Sequence, residues 1–155
     1  MVLQDFVGSW IGTNKFRIMP SDPFAELPAR LTLTHAAGGY LTSVVYRWEQ
    51  PDDGPQDGLL VIGSGSEAGS LVAMWGDSWH QKPGPMFLSG TEASAATLEL
   101  EGEWGGGWRW RIILDATDNV SLRLQMDNVI PASHATAEKP SGPYPTMVLN
   151  ARRAD

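Results

Sequence analysis

The sequence predicts an all-β fold: a ten-stranded antiparallel up-and-down barrel with a short helical turn at its N-terminus. Three observations predict it. Apolar and polar residues alternate with a period of two through most of the chain. The alternating runs are separated by clusters of Gly, Pro, Ser, Asp and Asn, which are turn chemistry. No helical periodicity of more than a few turns lies between them, which excludes a parallel sheet with crossover helices. A meander of short strands removes its exposed edges by closing on itself.

Each element follows from the local pattern. Residues 2–7 carry Val2, Leu3, Phe6 and Val7 and read as one helical turn that plugs a barrel end. Residues 10–18 form the first strand. Trp10, Phe16 and Ile18 lie on one face, and Ile11, Thr13, Lys15 and Arg17 on the other. Pro20 and Pro23 then break the ladder. Residues 29–35 alternate Leu31, Leu33 and His35 against Arg30, Thr32 and Thr34. Gly38-Gly39 is a tight hairpin signal. Residues 40–49 follow, rich in β-branched and aromatic side chains. Further strands are expected at 58–64, 70–79, 85–91, 97–102, 108–114, 120–127 and 146–153. The irregular stretch 128–145 contains four prolines and reads either as a lid over the barrel mouth or as a long crossover. The glycine run 105–107 joins two strands, so it is a hairpin tip and no phosphate cradle.

Composition narrows the function. A chain of 155 residues suits one domain spanning 1–155. Apolar residues are 42% and charged residues 19%, an ordinary globular balance. Seven Trp suggest an aromatic core or cavity wall. The net charge of −7 argues against nucleic acid and against an anionic membrane surface. The absence of Cys excludes disulfides, thiolate metal sites and a Cys nucleophile. Residues 1–5 have no basic or apolar leader character, and no apolar run approaches the ~18 residues of a membrane helix, so a cytoplasmic protein is expected.

Gly8-Ser9-Trp10, the ten-strand pattern and Arg152-Arg153 on the final strand resemble the calycin superfamily of lipocalins and fatty-acid-binding proteins. That resemblance implies an N-terminal Trp packed across the closed barrel end under a basic side chain of the last strand. Arg152 or Arg153 would cover Trp10 by position. Val72-Ala73-Met74-Trp75-Gly76-Asp77-Ser78-Trp79-His80-Gln81 resembles the mid-chain strand of the lipocalin-like DUF1579 family, whose function is unknown, and residues 85–90 fit its next strand. The resemblance implies a fold and a ligand-binding habit. It does not imply a substrate. The haem-binding nitrobindins also start with Gly-x-Trp, but they continue with glycines that this chain loses after Gly12. If haem bound, His35 or His134 would be the axial candidate.

The candidate site residues come from the aromatic strands and the polar run after Trp75. Tyr46 and Trp48 share a face with Val44, and Trp108 and Trp110 share one with Ile112 and Leu114. Together with Trp75 and Trp79 they are expected to line a cavity. Ser78, His80 and His35 are the polar handles. Strand alternation sends Asp77 away from His80, which makes Asp77-Ser78-Trp79-His80 a poor catalytic triad. Arg109, Arg111 and Arg123 would select an acid if they faced in, but alternation places them outside. The three histidines show no metal-ligand spacing.

The resulting expectation is a non-enzymatic barrel, without metal or cofactor, that holds a small apolar or amphipathic molecule. Two alternatives stand beside it. One is a nitrobindin-like haem protein. The other is a packed barrel that acts as an interaction module or homodimer.

Overall fold

The structure, a computed structural model, describes residues 3–94 and 96–154, with the side chain of residue 117 left aside. Ten strands follow in order: β1 (Gly8–Phe16), β2 (Ala25–Ala36), β3 (Leu41–Gln50), β4 (Gly54–Ser64), β5 (Ser70–Asp77), β6 (Gln81–Ser94), β7 (Thr97–Gly105), β8 (Trp108–Asp118), β9 (Ser121–Ile130) and β10 (Gly142–Arg153). Each pairs antiparallel with its chain neighbours. β1 also pairs with β10, Trp10 opposite Arg153, which closes the barrel. The expected architecture is therefore the observed one.

Several strands, β2, β4, β6 and β10 among them, are longer than the sequence pattern suggests, because prolines and glycines sit inside them. Pro28 lies on β2 opposite Thr13 of β1, beyond the last β2–β3 pair at Arg30. Pro143 and Pro145 pair with β9 only, since the β1–β10 ladder begins at Met147. Each proline thus occupies a stretch that is laddered on one side, where a missing N–H costs least. Two other expectations are corrected. Ile18 lies past the end of β1 and is exposed, so it does not share the inward face of Trp10 and Phe16. Gly38-Gly39 belongs to a 3-10 turn, Ala37–Gly39, in place of a two-residue hairpin.

Alternation decides what fills the barrel. Val44, Tyr46 and Trp48 of β3, Leu60 and Ile62 of β4, and Trp110, Ile112 and Leu114 of β8 all point inward and are buried. They join a single apolar core running from Leu3 to Ala151. Arg109 and Arg111 point outward to Glu101, and Arg123 to Asp115. No arginine of these strands reaches the interior, so a carboxylate clamp of the fatty-acid-binding kind is not built here.

One end is plugged. A 3-10 turn, Gln4–Phe6, lays Phe6 against Trp10 with ring centroids 6.1 Å apart. The Trp10 indole N–H donates to the Phe6 carbonyl at 3.0 Å. The Arg153 guanidinium lies 4.5 Å from the centre of the Trp10 ring and donates to the Val7 and Asp5 carbonyls. Arg152 sits opposite Ile11 on the outer face and makes no such contact.

Candidate functional site

The opposite end of the barrel is built on one carboxylate. Asp77 is the last residue of β5 and is 3% exposed. Its Oδ1 accepts the backbone N–H groups of Trp79 and His80, each at 2.9 Å. Those two bonds close the three-residue turn into β6, as Asp side chains do at turns. Its Oδ2 accepts the Tyr46 hydroxyl at 2.6 Å and the Trp48 indole N–H at 3.2 Å. The Tyr46 oxygen in turn accepts the Trp75 indole N–H at 2.9 Å. One side chain therefore fixes a turn, two core aromatics and, through Tyr46, a third.

Gly58 makes room for this network. It lies directly across from Tyr46 on β4. A Cβ built there would fall 1.9 Å from the Tyr46 ring carbon that carries the hydroxyl. The ring covers the glycine, and the hydroxyl passes over it to Asp77.

Burial and charge set the protonation of this pair. Burial raises the Tyr46 pKa, and the Asp77 charge and hydrogen bond raise it further, so Tyr46 stays a neutral donor. Burial alone pushes the Asp77 carboxyl up. The facing His80 ring and the Tyr46 hydroxyl outweigh it, and the Asp77 pKa is lowered from its usual value.

The turn breaks the strand alternation on which the sequence expectation relied. β5 ends at Asp77, not at Trp79. Trp79 and His80 both swing over the barrel end, and Asp77 and His80 face each other. The His80 Nδ1 lies 3.5 Å from Asp77 Oδ1, which is attractive when the ring is protonated but too long for a formed hydrogen bond. Ser78 leaves the group. Its hydroxyl donates to Gln56 Oε1 at 2.7 Å and accepts the Asp57 N–H at 2.9 Å. The Ser78 hydroxyl is thereby committed away from His80, and no Ser–His–Asp relay forms.

His80 is instead the centre of an aromatic cage. Its ring centre lies 5.1 Å from Trp48, 4.9 Å from Trp79, 5.1 Å from Trp110 and 6.0 Å from Phe16. Trp75 and Trp110 stack in parallel at 5.3 Å. Beside this cage a cleft of about 250 Å³ opens between Trp75, His80, Gln81, Met86, Trp110 and the rim residues Trp104 and Asn128. The Trp104 indole N–H donates to Asn128 Oδ1 at 3.2 Å and spans the rim. The Trp110 indole N–H is buried with no acceptor. An unpaired buried donor costs about 1–3 kcal/mol.

The expected ligand residues are thus divided by the fold. Trp75, His80 and Trp110 line the cleft. Trp79 packs on His80 from the other side, with its indole N–H on Asp53. Tyr46 and Trp48 are wholly buried and form the scaffold behind it. Trp108 stands outside, between Trp104 and His134, at 5.5 and 5.6 Å. His134 belongs to a 3-10 turn, Ala132–His134, in the long loop, which packs on Trp108. His35 points into the far end of the barrel, 3.4 Å from the Thr42 hydroxyl. Neither histidine faces the cleft, whose volume is below the ~300–1,000 Å³ usual for drug-sized ligands, so the residues present do not fit a haem there.

Trp104, Asn128, Gln81 and Met86 were not foreseen. Trp104 directly precedes the glycine run 105–107 at a hairpin tip, and its sequence neighbourhood signals only a turn. Among the described residues no group of three or more His, Asp or Glu could hold a metal ion. No described helix is long and apolar enough to cross a membrane. No protein-family model matches the chain, and no curated protein matches it.

Proposed function

We propose that this barrel binds a small, flat, largely apolar molecule in the cleft beside His80. The observation that carries the reading is Trp110, a residue of the cleft wall whose buried indole N–H has no acceptor, beside the rings of Trp75, His80 and Trp104. Planar ligands stack on tryptophan faces, and a single oxygen acceptor on the ligand would satisfy the stranded donor. The 250 Å³ volume favours one or two fused rings over a long acyl chain. The Asp77 network supports the same reading, because it locks the rotamers behind the cleft and leaves the wall preorganised.

The reading includes membership of the lipocalin-like DUF1579 group and a cytoplasmic setting. Support for the first comes from the Gly8-Ser9-Trp10 start, the closed ten-strand meander and Arg153 over Trp10. A second reading is favoured by the bulk that points inward, since Trp10, Trp48, Trp75 and Tyr46 are all buried in one apolar core. On that reading the barrel is a packed module that works through its outer wall.

The test is a titration with 2-naphthol, with lauric acid as the acyl-chain comparison, followed by tryptophan fluorescence. 2-Naphthol should quench the signal, and Trp104→Ala should weaken its binding about tenfold, or ~1.4 kcal/mol. Trp104 is half exposed, so this variant spares the core. No quench with 2-naphthol, or quench unaffected by Trp104→Ala, would sink the proposal.

A further inference from the structure

The outer wall of the barrel is divided by charge. Over β7, β8 and β9 it carries a lattice of ion pairs, Glu101 with Arg109 and Arg111, and Asp115 with Arg123. Over β3 to β6 it is apolar. Val45 lies opposite Leu59, and Met74 lies opposite both Val61 and Phe87. Val72 continues the wall, and Tyr40 and Leu41 close its corner. Phe87 is 73% exposed, Tyr40 82%, Val45 and Val72 50% each. Arg47 and Asp57, the charges bordering this wall beside Val45 and Leu59, neutralise each other at 3.0 Å.

We infer that this wall is a self-association surface on which a second copy of the chain docks about a two-fold axis. Three observations carry the inference. The first is area. The exposed apolar side chains supply about 500 Å², counting ~200 Å² for a whole aromatic and ~100 Å² for a whole aliphatic side chain. A standard interface needs about 800 Å² per partner, and a homodimer's is about two-thirds apolar, so the two amounts agree. The second is shape. A groove of about 450 Å³ runs between Tyr40, Val61, Val72 and Phe87. Phe87 projects beside it, so a two-fold arrangement seats each copy's Phe87 in the groove of the other. The third is charge. Each chain carries a net −7, and two copies repel. The apolar wall is the face where they meet without bringing unpaired charges together. The barrel is closed, with only short one-sided stretches near strand ends, so a face is the larger surface for association.

This association stands apart from the cleft, since Phe87 points outward while its neighbour Met86 points in. Sedimentation velocity over about 1–100 µM reads it, the range where the weaker standard-size interfaces dissociate. The wild type should sediment at twice the 16.8 kDa of one chain. Phe87→Glu and Val72→Lys should weaken the dimer at least ~100-fold by burying an unpaired charge, with unchanged tryptophan fluorescence. Ile11→Glu, on the opposite wall, should leave it intact. The chain has no cysteine, which allows a second readout. Under mild oxidation Met74→Cys should cross-link to a covalent dimer and Ile11→Cys should not. A wild type monomeric throughout overturns the inference, as does a Phe87→Glu that still dimerises or equal cross-linking at the two positions. A monomer that floats with phosphatidylcholine vesicles overturns it in favour of a lipid surface.

Discussion

Replacing Asp77 by Asn is the most direct probe of the site, because the change is isosteric and alters only charge and donor pattern. The Asp77 carboxylate accepts from four donors: two backbone N–H groups on Oδ1, and the Tyr46 hydroxyl and Trp48 indole on Oδ2. An amide has one acceptor oxygen. If that oxygen keeps the turn, its NH₂ faces the Trp48 N–H, and donor meets donor. If it keeps the aromatics, its NH₂ faces the Trp79 and His80 amides. Either orientation strands at least one buried donor, at about 1–3 kcal/mol. The charge-assisted Tyr46 bond weakens as well, by about 1 kcal/mol. The expected loss is about 3 kcal/mol, a fall of roughly 6–12 °C in Tm for a chain of this size. Urea unfolding followed by tryptophan fluorescence measures it. The sign of the pH dependence follows from the lowered Asp77 pKa. The stabilisation from the folded carboxylate is complete above its ordinary value of 3.8 and disappears as pH falls through the lower folded value. The gap between wild type and variant should therefore be constant near neutrality and close in acid. A variant within about 0.5 kcal/mol of wild type, or a gap that widens in acid, would refute the reasoning.

Three further outcomes are expected. Gly58→Ala should cost at least ~1–3 kcal/mol, because the new methyl falls on the Tyr46 ring, and it should dislodge the Tyr46–Asp77 bond; an unchanged denaturation midpoint would contradict this. Arg153→Ala should lose about 1–2 kcal/mol through its Trp10 face and the carbonyls it ties down, whereas Arg152→Ala should stay within about 0.5 kcal/mol; equal effects would show that position on the last strand does not matter. Tyr46, with its pKa raised by burial and by Asp77, contributes stability that is complete below pH 10.0 and lost as pH rises through its folded value. In a phenolate absorbance titration it should ionise only as the barrel opens, and a Tyr46 signal that titrates freely in the folded state would be inconsistent with its burial.

The legible part of the fold is the part that repeats. Period-two alternation is a local property, so the inward set Val44, Tyr46 and Trp48 and the inward set Trp110, Ile112 and Leu114 could be read directly, as could the outward arginines of β8 and β9. Strand ends were less legible. Pro28 and Pro143 fall outside the strands expected at 29–35 and 146–153, and only the ladder shows that they lie within strands where one side is unpaired. The site was half legible. Trp75 and Trp110 are expected from the sequence as cavity residues and His80 as a polar handle, and all three line the cleft, but alternation sends Asp77 away from His80. That reading extends strand geometry two residues too far, into a turn that the Asp77 side chain itself creates.

By itself, then, the sequence determined the class of fold, its strand order and the inward side chains of the strand interiors, because those depend on alternation and on turn residues along the chain; Ile18 and Trp108, at strand ends, escaped it. It also determined, through Arg152 and Arg153, that a cation was available for Trp10, but not which one. The register of β1 on β10 decided that, placing Arg153 opposite Trp10 and Arg152 on the outside. Tertiary structure alone decided that donors from β3 meet those of the β5–β6 turn on one carboxylate, and that His80 lies among Trp48, Trp79 and Trp110. The cross-strand contacts join residues about thirty positions apart, such as Tyr46 with Asp77. No local pattern encodes them, since they exist only once barrel closure has set the depth of each strand.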